Sequence, residues 1–118
     1  MALRQFLNNS MSSLRQTQVA ELIARLAGEF LERESNHQSL ITVTRADMSP
    51  DLKNVTVYFS VLPEKFEQSA LMFAKRVRTD FREYLKQKSQ MKFLPTVDFE
   101  LDLGEKHSQK IDELIRNT

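Results

Sequence analysis

Lys75, Arg76, Arg78, Arg82, Lys86, Lys88 and Lys92 stand against only Asp80 and Glu83 between positions 75 and 92. Clustered ammonium and guanidinium groups attract phosphate oxygens, and each phosphate they neutralise on a nucleic acid releases condensed counterions. The spacing is ordered. At 100° per residue, Lys75, Arg78, Arg82 and Lys86 recur at i, i+3, i+7 and i+11 on one helix face. Ala70, Phe73, Ala74, Val77, Phe81, Tyr84 and Leu85 form the opposite, apolar face. A helix with a cationic stripe suits a phosphate backbone, with Arg76 and Lys92 as flanking contacts. Lys88 falls on the apolar side in ideal register, so either the helix has ended there or its stem lies along apolar surface with the ammonium in water. A plain solvated helix face uses the same residue types, and charge alone does not separate the two readings.

Other residues with chemical potential give weaker patterns. Arg45 and Lys53 flank a turn between two strand-like segments and are further RNA-contact candidates, with ordinary strand-end charge as the alternative. Tyr58 could stack on an unpaired base or pack across strands. Asp98, Glu100 and Asp102 alternate on one strand face. Paired carboxylates can move protons or hold Mg²⁺, but such a row more often keeps a sheet edge soluble. His37 and His107 lie far apart in polar connections, so no metal site is expected. With no cysteine there is no disulfide, thiolate ligand or Cys nucleophile, which agrees with a reducing cytosol. Two glycines leave no material for a Gly-rich phosphate loop.

A chain of 118 residues, 41% hydrophobic and with formal net charge +1, fits one domain with a modest core. Mean hydropathy is −0.44, and no run approaches the roughly 18 apolar residues of a membrane span. The first residues have no apolar h-region, so a secretory signal is not expected and a cytoplasmic location is. Residues 1–11 lack a period and read as a flexible lead-in to a domain over 12–104. Ser13 and Gln16 have capping-box spacing, predicting a helix from near Leu14. Val19, Leu22, Ile23, Leu26, Ala27 and Phe30 form its apolar face, and Ser35-Asn36-His37 ends it. Gly28 costs that helix about 1 kcal/mol relative to Ala, with close packing as a reason to keep it.

Ile41 to Thr44 and Val55 to Val61 alternate as strands joined through the Ser49-Pro50-Asp51 turn signal, which predicts an antiparallel hairpin. Pro63 closes the second strand. Residues 64–87 form one amphipathic helix or two joined by a break. Val97, Phe99 and Leu101 mark a third strand, broken by Gly104. Residues 105–118 form a tail in which Ile111, Leu114 and Ile115 support a short helix. The order is α-β-β-α-(α)-β, an α+β arrangement with helices on one face of a mixed sheet.

Four segments resemble the ribosome-binding factor A family. Arg15, Val19, Ile23 and Phe30-Leu31 have its first-helix spacing. Ile41-Thr42-Val43-Thr44, then Arg45 to Leu52, then Val55 to Ser60 resemble its strand, Ser-x-Asp-Leu connection and second strand. Phe81-Arg82 followed by Leu85, and Met91-Lys92-Phe93-Leu94-Pro95 leading into Val97-Asp98-Phe99, are also similar. The resemblance covers about Ser12 to Asp102. It implies a type II KH-like fold, α-β-β-α-α-β, and a non-enzymatic assembly factor without a cofactor. Such a factor binds the small ribosomal subunit and its 16S rRNA, assists late 30S maturation and rRNA processing, and is a monomer off the ribosome, with no membrane partner. In that family an Ala-x-Gly break stands in place of the KH GxxG loop. The matching positions here are Val77-Arg78-Thr79, with neither Ala nor Gly, so Thr79 becomes a possible cap for the second segment. The alternative function is a protein-interaction module of the same fold that binds no RNA. A small enzyme using the carboxylate row is the third reading.

Overall fold

Val55, Val57, Phe59 and Val61 alternate with Asn54, Thr56, Tyr58 and Ser60, and that period makes the central strand of the sheet. A computed structural model describes residues 2–104, with side chains from Leu14 onward. Its elements are α1 (Ala2–Glu34), β1 (Leu40–Met48), β2 (Asn54–Leu62), a 3₁₀ turn (Glu64–Phe66), α2 (Glu67–Arg76), α3 (Arg78–Lys88) and β3 (Thr96–Leu101). The strand order is β1-β2-β3. β1 and β2 pair antiparallel, and β2 and β3 pair parallel. This is the expected type II KH-like arrangement, with both helical layers on one sheet face.

Two boundaries differ from the sequence reading. The first helix begins at Ala2, not near Leu14. No Gly or Pro interrupts residues 2–27, so nothing local stops the helix from running back through the expected lead-in. Gln16 therefore does not serve a capping box; its side-chain amide donates to the carbonyl of Met48 at the end of β1. β1 is also longer than expected and runs through Arg45 to Met48, because those residues continue the ladder opposite β2. The register shifts between Val43 and Arg45, so Thr44 is the extra residue of a bulge. Its hydroxyl donates to Asp102 Oδ2 at 2.6 Å, while the Asp102 N–H donates to the Phe59 carbonyl at 2.7 Å. Those bonds tie the end of β3 back across the sheet.

The hairpin turn is held by the side chains expected to do so. Ser49 Oγ donates to Asp51 Oδ1 at 2.6 Å, and the Lys53 N–H donates to the same oxygen at 3.1 Å. The Ser49 hydroxyl oxygen also accepts from the Asn54 N–H at 3.0 Å. The postulated helix over Ile111, Leu114 and Ile115 lies outside the described residues, as does His107.

The core is aromatic. Phe81 of α3 lies 5.4 Å from Phe30 of α1 and 5.6 Å from Phe99 of β3, centroid to centroid, and Phe99 lies 6.4 Å from Phe59 of β2. Phe59, Phe81 and Phe99 are completely buried. Phe81→Ala removes the ring that joins three layers and should cost about 3–5 kcal/mol, a large share of a small domain's stability. Urea denaturation should show the midpoint fall by roughly 1–5 M relative to the native chain. Gly28 has room for a side chain, since an added Cβ would lie 4.0 Å from Val43 Cβ and Cγ2, an ordinary contact. Gly28→Ala should therefore raise stability by about 0.5–1 kcal/mol, read as a higher urea midpoint at unchanged m-value.

Candidate nucleic-acid interface

The helical pair follows the predicted periodicity. Ala70, Ala74, Phe81 and Leu85 are buried, and Phe73, Val77 and Tyr84 are half-buried beside them. A break does separate α2 from α3, and it needs no glycine. Val77 sits at φ −96°, ψ 11°, a bridge conformation open to ordinary L residues. Its N–H still donates to the Phe73 carbonyl at 3.1 Å, and its carbonyl accepts from the Phe81 N–H at 2.9 Å. Val77 is thus both the C-cap of α2 and the N-cap of α3, and the break occupies that one residue. Thr79 is exposed and does not cap α3, whose start has no side-chain cap bond.

The cations of the stripe divide into two groups. Lys75 and Arg78 turn toward β3, an edge strand. Lys75 Nζ lies 2.9 Å from Glu100 Oε1 and 3.1 Å from Asp98 Oδ1, and Arg78 Nη1 lies 3.1 Å from the same Asp98 oxygen. The acids expected to be solvated thus form a local network with helical cations. Glu100, then Asp98, raise the Lys75 pKa against the opposing effect of burial. Burial pulls the Asp98 carboxyl upward, but Lys75, the Phe99 N–H and Arg78 together hold it below its ordinary value of 3.8. A carboxylate held ionised between two cations suits a structural anchor and not proton transfer at neutral pH.

The sheet surface beside this network is charged in alternation. Register places Arg45, Tyr58 and Glu100 in one row and Asp47, Thr56 and Asp98 in the next. Arg45 lies inside β1 and not at the strand end expected for it. Its guanidinium covers the Tyr58 ring at 4.2 Å and lies 3.7 Å from Asp47 Oδ2. One face of Tyr58 is therefore occupied by a cross-strand neighbour.

The second group of cations gathers at the α3–β3 junction. Arg82 Nε donates to the Pro95 carbonyl at 3.0 Å and its Nη2 to the Leu94 carbonyl at 3.4 Å. These bonds fix the guanidinium without neutralising it. Lys86 follows one turn later and is exposed. Lys92 lies in the same connection, with Nζ 5.8 Å from the Phe93 ring centroid. Lys53 is exposed beside this connection, because its carbonyl accepts the Thr96 N–H at 2.8 Å. Arg82, Lys86, Lys92 and Lys53 form no ion pair among the described residues. Arg76 is separate: it borders a groove with Glu34, Ser39 and Phe73, on the side of α2 away from β3. Lys88 is the last residue of α3, and its ammonium lies 5.9 Å from the Tyr84 ring, so the helix has not ended before it. Phe93, read in the sequence only as part of a junction, is 81% exposed. Its signal was an aromatic beside Lys92 in a segment with no period.

The model of the family described as Ribosome-binding factor A matches residues 15–115. The chain belongs to the ribosome-binding factor A family. Among curated ribosome-binding factor A proteins, that of Methylobacterium nodulans is 34% identical over 110 residues, covering 87% of this chain and 80% of the relative. That of Coxiella burnetii is 30% identical over 105 residues, covering 87% and 88%. The crystal structure of ribosome-binding factor A from Thermus thermophilus superposes with a TM-score of 0.66 at 22% identity, over 73% of this chain and 93% of that one. Coordinates of the Thermus thermophilus factor as fitted into a cryo-electron-microscopy map of its 30S complex give 0.65 at 22% identity, over 74% and 94%. These likenesses establish the shared fold of the family.

Among the described residues no group of three or more His, Cys, Asp or Glu could hold a metal ion, and no helix is long and apolar enough to cross a membrane.

The network sets a pH dependence. Asp51, Asp98 and Asp102 are all lowered from 3.8: Asp51 by the Ser49 hydroxyl and the Lys53 N–H, Asp102 by the Thr44 hydroxyl and the Gly104 N–H. Their contribution is complete above the unfolded value and is lost as pH falls through the lower folded values. Lys75 is raised from 10.5. Its contribution is complete below that value and is lost as pH rises through the folded one. Urea midpoints should form a plateau from about pH 5 to 9 and fall on both sides. Lys75→Met should cost about 0.5–1 kcal/mol at pH 7 and flatten the alkaline fall, which denaturation at pH 7 and 11 would reveal.

Proposed function

We propose that this chain is an assembly factor of the cytoplasmic small ribosomal subunit that contacts 16S rRNA and assists late 30S maturation and rRNA processing. Membership of the family over residues 15–115 is the observation that carries this reading. The Thermus thermophilus factor fitted into a 30S complex supports the same partner. No catalytic step and no cofactor are involved. The protein acts by shape and charge, as a monomer that docks, holds a local rRNA conformation and leaves.

The contact surface in this proposal is narrower than the helical stripe. Lys75 and Arg78 already face carboxylates, so a phosphate would have to compete with Asp98 and Glu100. Arg82, Lys86 and Lys92 form no ion pair among the described residues and lie at or near one connection, with Lys53 beside it and its charge shared with Asp51. Backbone phosphates would neutralise them and release counterions. Arg45 and Arg76 stand apart and would be secondary contacts. A protein-only interaction module using the acidic strand face is less well supported, because its carboxylates are engaged by Lys75 and Arg78.

The test is association with purified small subunits across a salt series. The intact chain should bind with an affinity that falls steeply with salt. Lys86→Glu with Lys92→Glu should weaken binding at least about tenfold at physiological salt and make the log–log salt slope shallower by about 2. Unchanged affinity and slope in that variant, with its fold intact by circular dichroism, would remove the cluster as the contact. Salt-insensitive binding by the intact chain would remove the RNA reading altogether.

A further inference from the structure

Phe93 is the most exposed of the large hydrophobic side chains in the described region, at 81% against 70% for Met72 and 64% for Leu40. A phenyl ring left in water forgoes the stabilisation of burial, and this ring is not on a loose loop. Ser89 Oγ closes the end of α3 on the Leu85 carbonyl at 2.6 Å and accepts the Met91 N–H at 3.4 Å. Met91 and Leu94 pack against the core, and Pro95 is fully buried. Arg82 holds the carbonyls of Leu94 and Pro95 from α3. The connection is thus fastened on both sides of Phe93, and the ring projects from the fastened segment.

Its surroundings select the chemistry of a partner. Residues 89–97 contain no acid. The Lys92 ammonium lies 5.8 Å from the ring, and Arg82 and Lys86, which form no ion pair among the described residues, lie on the adjoining helix, with Lys53 exposed on the other side of the connection. An apolar protein pocket would have to desolvate those cations without pairing them, which is costly. Single-stranded nucleic acid offers both complements, phosphates for the cations and a base face for the ring. We propose that Phe93 stacks on an unpaired base of the bound rRNA. The inference rests on the RNA-contact reading above and assigns the ring the task of choosing a single-stranded or bulged position within the electrostatic footprint.

Binding of Phe93→Ala, Phe93→Leu and Phe93→Trp to purified small subunits tests it. The Phe93 ring stands outside the buried core, so the variants should fold alike, and circular dichroism with urea midpoints checks this. Phe93→Ala and Phe93→Leu should each lose roughly 5- to 100-fold in affinity, whereas Phe93→Trp should bind within about threefold of the native chain. The salt slope of Phe93→Ala should stay native, because no cation has been removed. A photo-crosslinking side chain at position 93 should give an rRNA adduct. Native affinity in Phe93→Ala or in Phe93→Leu overturns the stacking, as does an adduct confined to a ribosomal protein. Those results leave the salt-dependent cationic contact standing. Loss of salt-sensitive binding by the unmodified chain is the separate result that removes the contact itself.

Discussion

Phe81 is the constraint on which the rest of the arrangement depends. One ring contacts Phe30 of α1 and Phe99 of β3, so the helical pair, the long first helix and the edge strand are fixed to one another at a single buried point. Its place in α3 sets the rotation of that helix. With Phe81 inward, Arg82 must point to the next sector and Lys86 one turn beyond it. That sector is the one next to the β3 connection, where the carbonyls of Leu94 and Pro95 receive the guanidinium. The charged surface is therefore a consequence of core packing, and Arg33 over the Tyr84 ring at 4.8 Å adds a second clasp between α1 and α3.

Periodicity reveals what neighbours within a few residues decide. The apolar faces of α2 and α3, the alternation of β2 and β3, and the Ser49–Asp51 turn are all legible for that reason. The element boundaries are less so. Ser13 and Gln16 have the spacing of a cap and point to a helix start near Leu14, yet the same spacing occurs inside helices. Gln16 finds its partner at Met48, a contact between sequence-distant residues that no local rule contains. β1 reads as ending at Thr44 for a similar reason. Arg45 to Met48 look like a connection until the Tyr58-to-Val55 side of the ladder is there to receive them.

The charged site shows the same limit in electrostatic form. A helical wheel gives each cation an angle but not a neighbour. Lys75, Arg78, Arg82 and Lys86 share a stripe, yet the first two end beside carboxylates and the last two form no ion pair among the described residues. The sequence contains both halves of the network, the stripe and the Asp98–Glu100 alternation, and only the packing of the helical pair beside the edge strand joins them. Charge counts overstate a binding surface whenever one element's cations can reach another element's acids, since paired groups in a folded domain retain little field for a third partner.

The missing family glycine becomes intelligible on the same terms. A residue at positive φ between two helices would let α3 change direction sharply, and glycine supplies that freedom. Here Val77 remains at negative φ and is at once the C-cap of α2, donating to Phe73, and the N-cap of α3, accepting from Phe81, so the two segments meet at one shared cap residue. The Val77 side chain is half-buried and joins the apolar face, which a glycine could not do. The junction is thereby a packed one, and with Arg78 drawn to Asp98 it is anchored on the sheet side as well. The cations of the stripe that form no ion pair among the described residues lie farther on, where α3 hands over to β3.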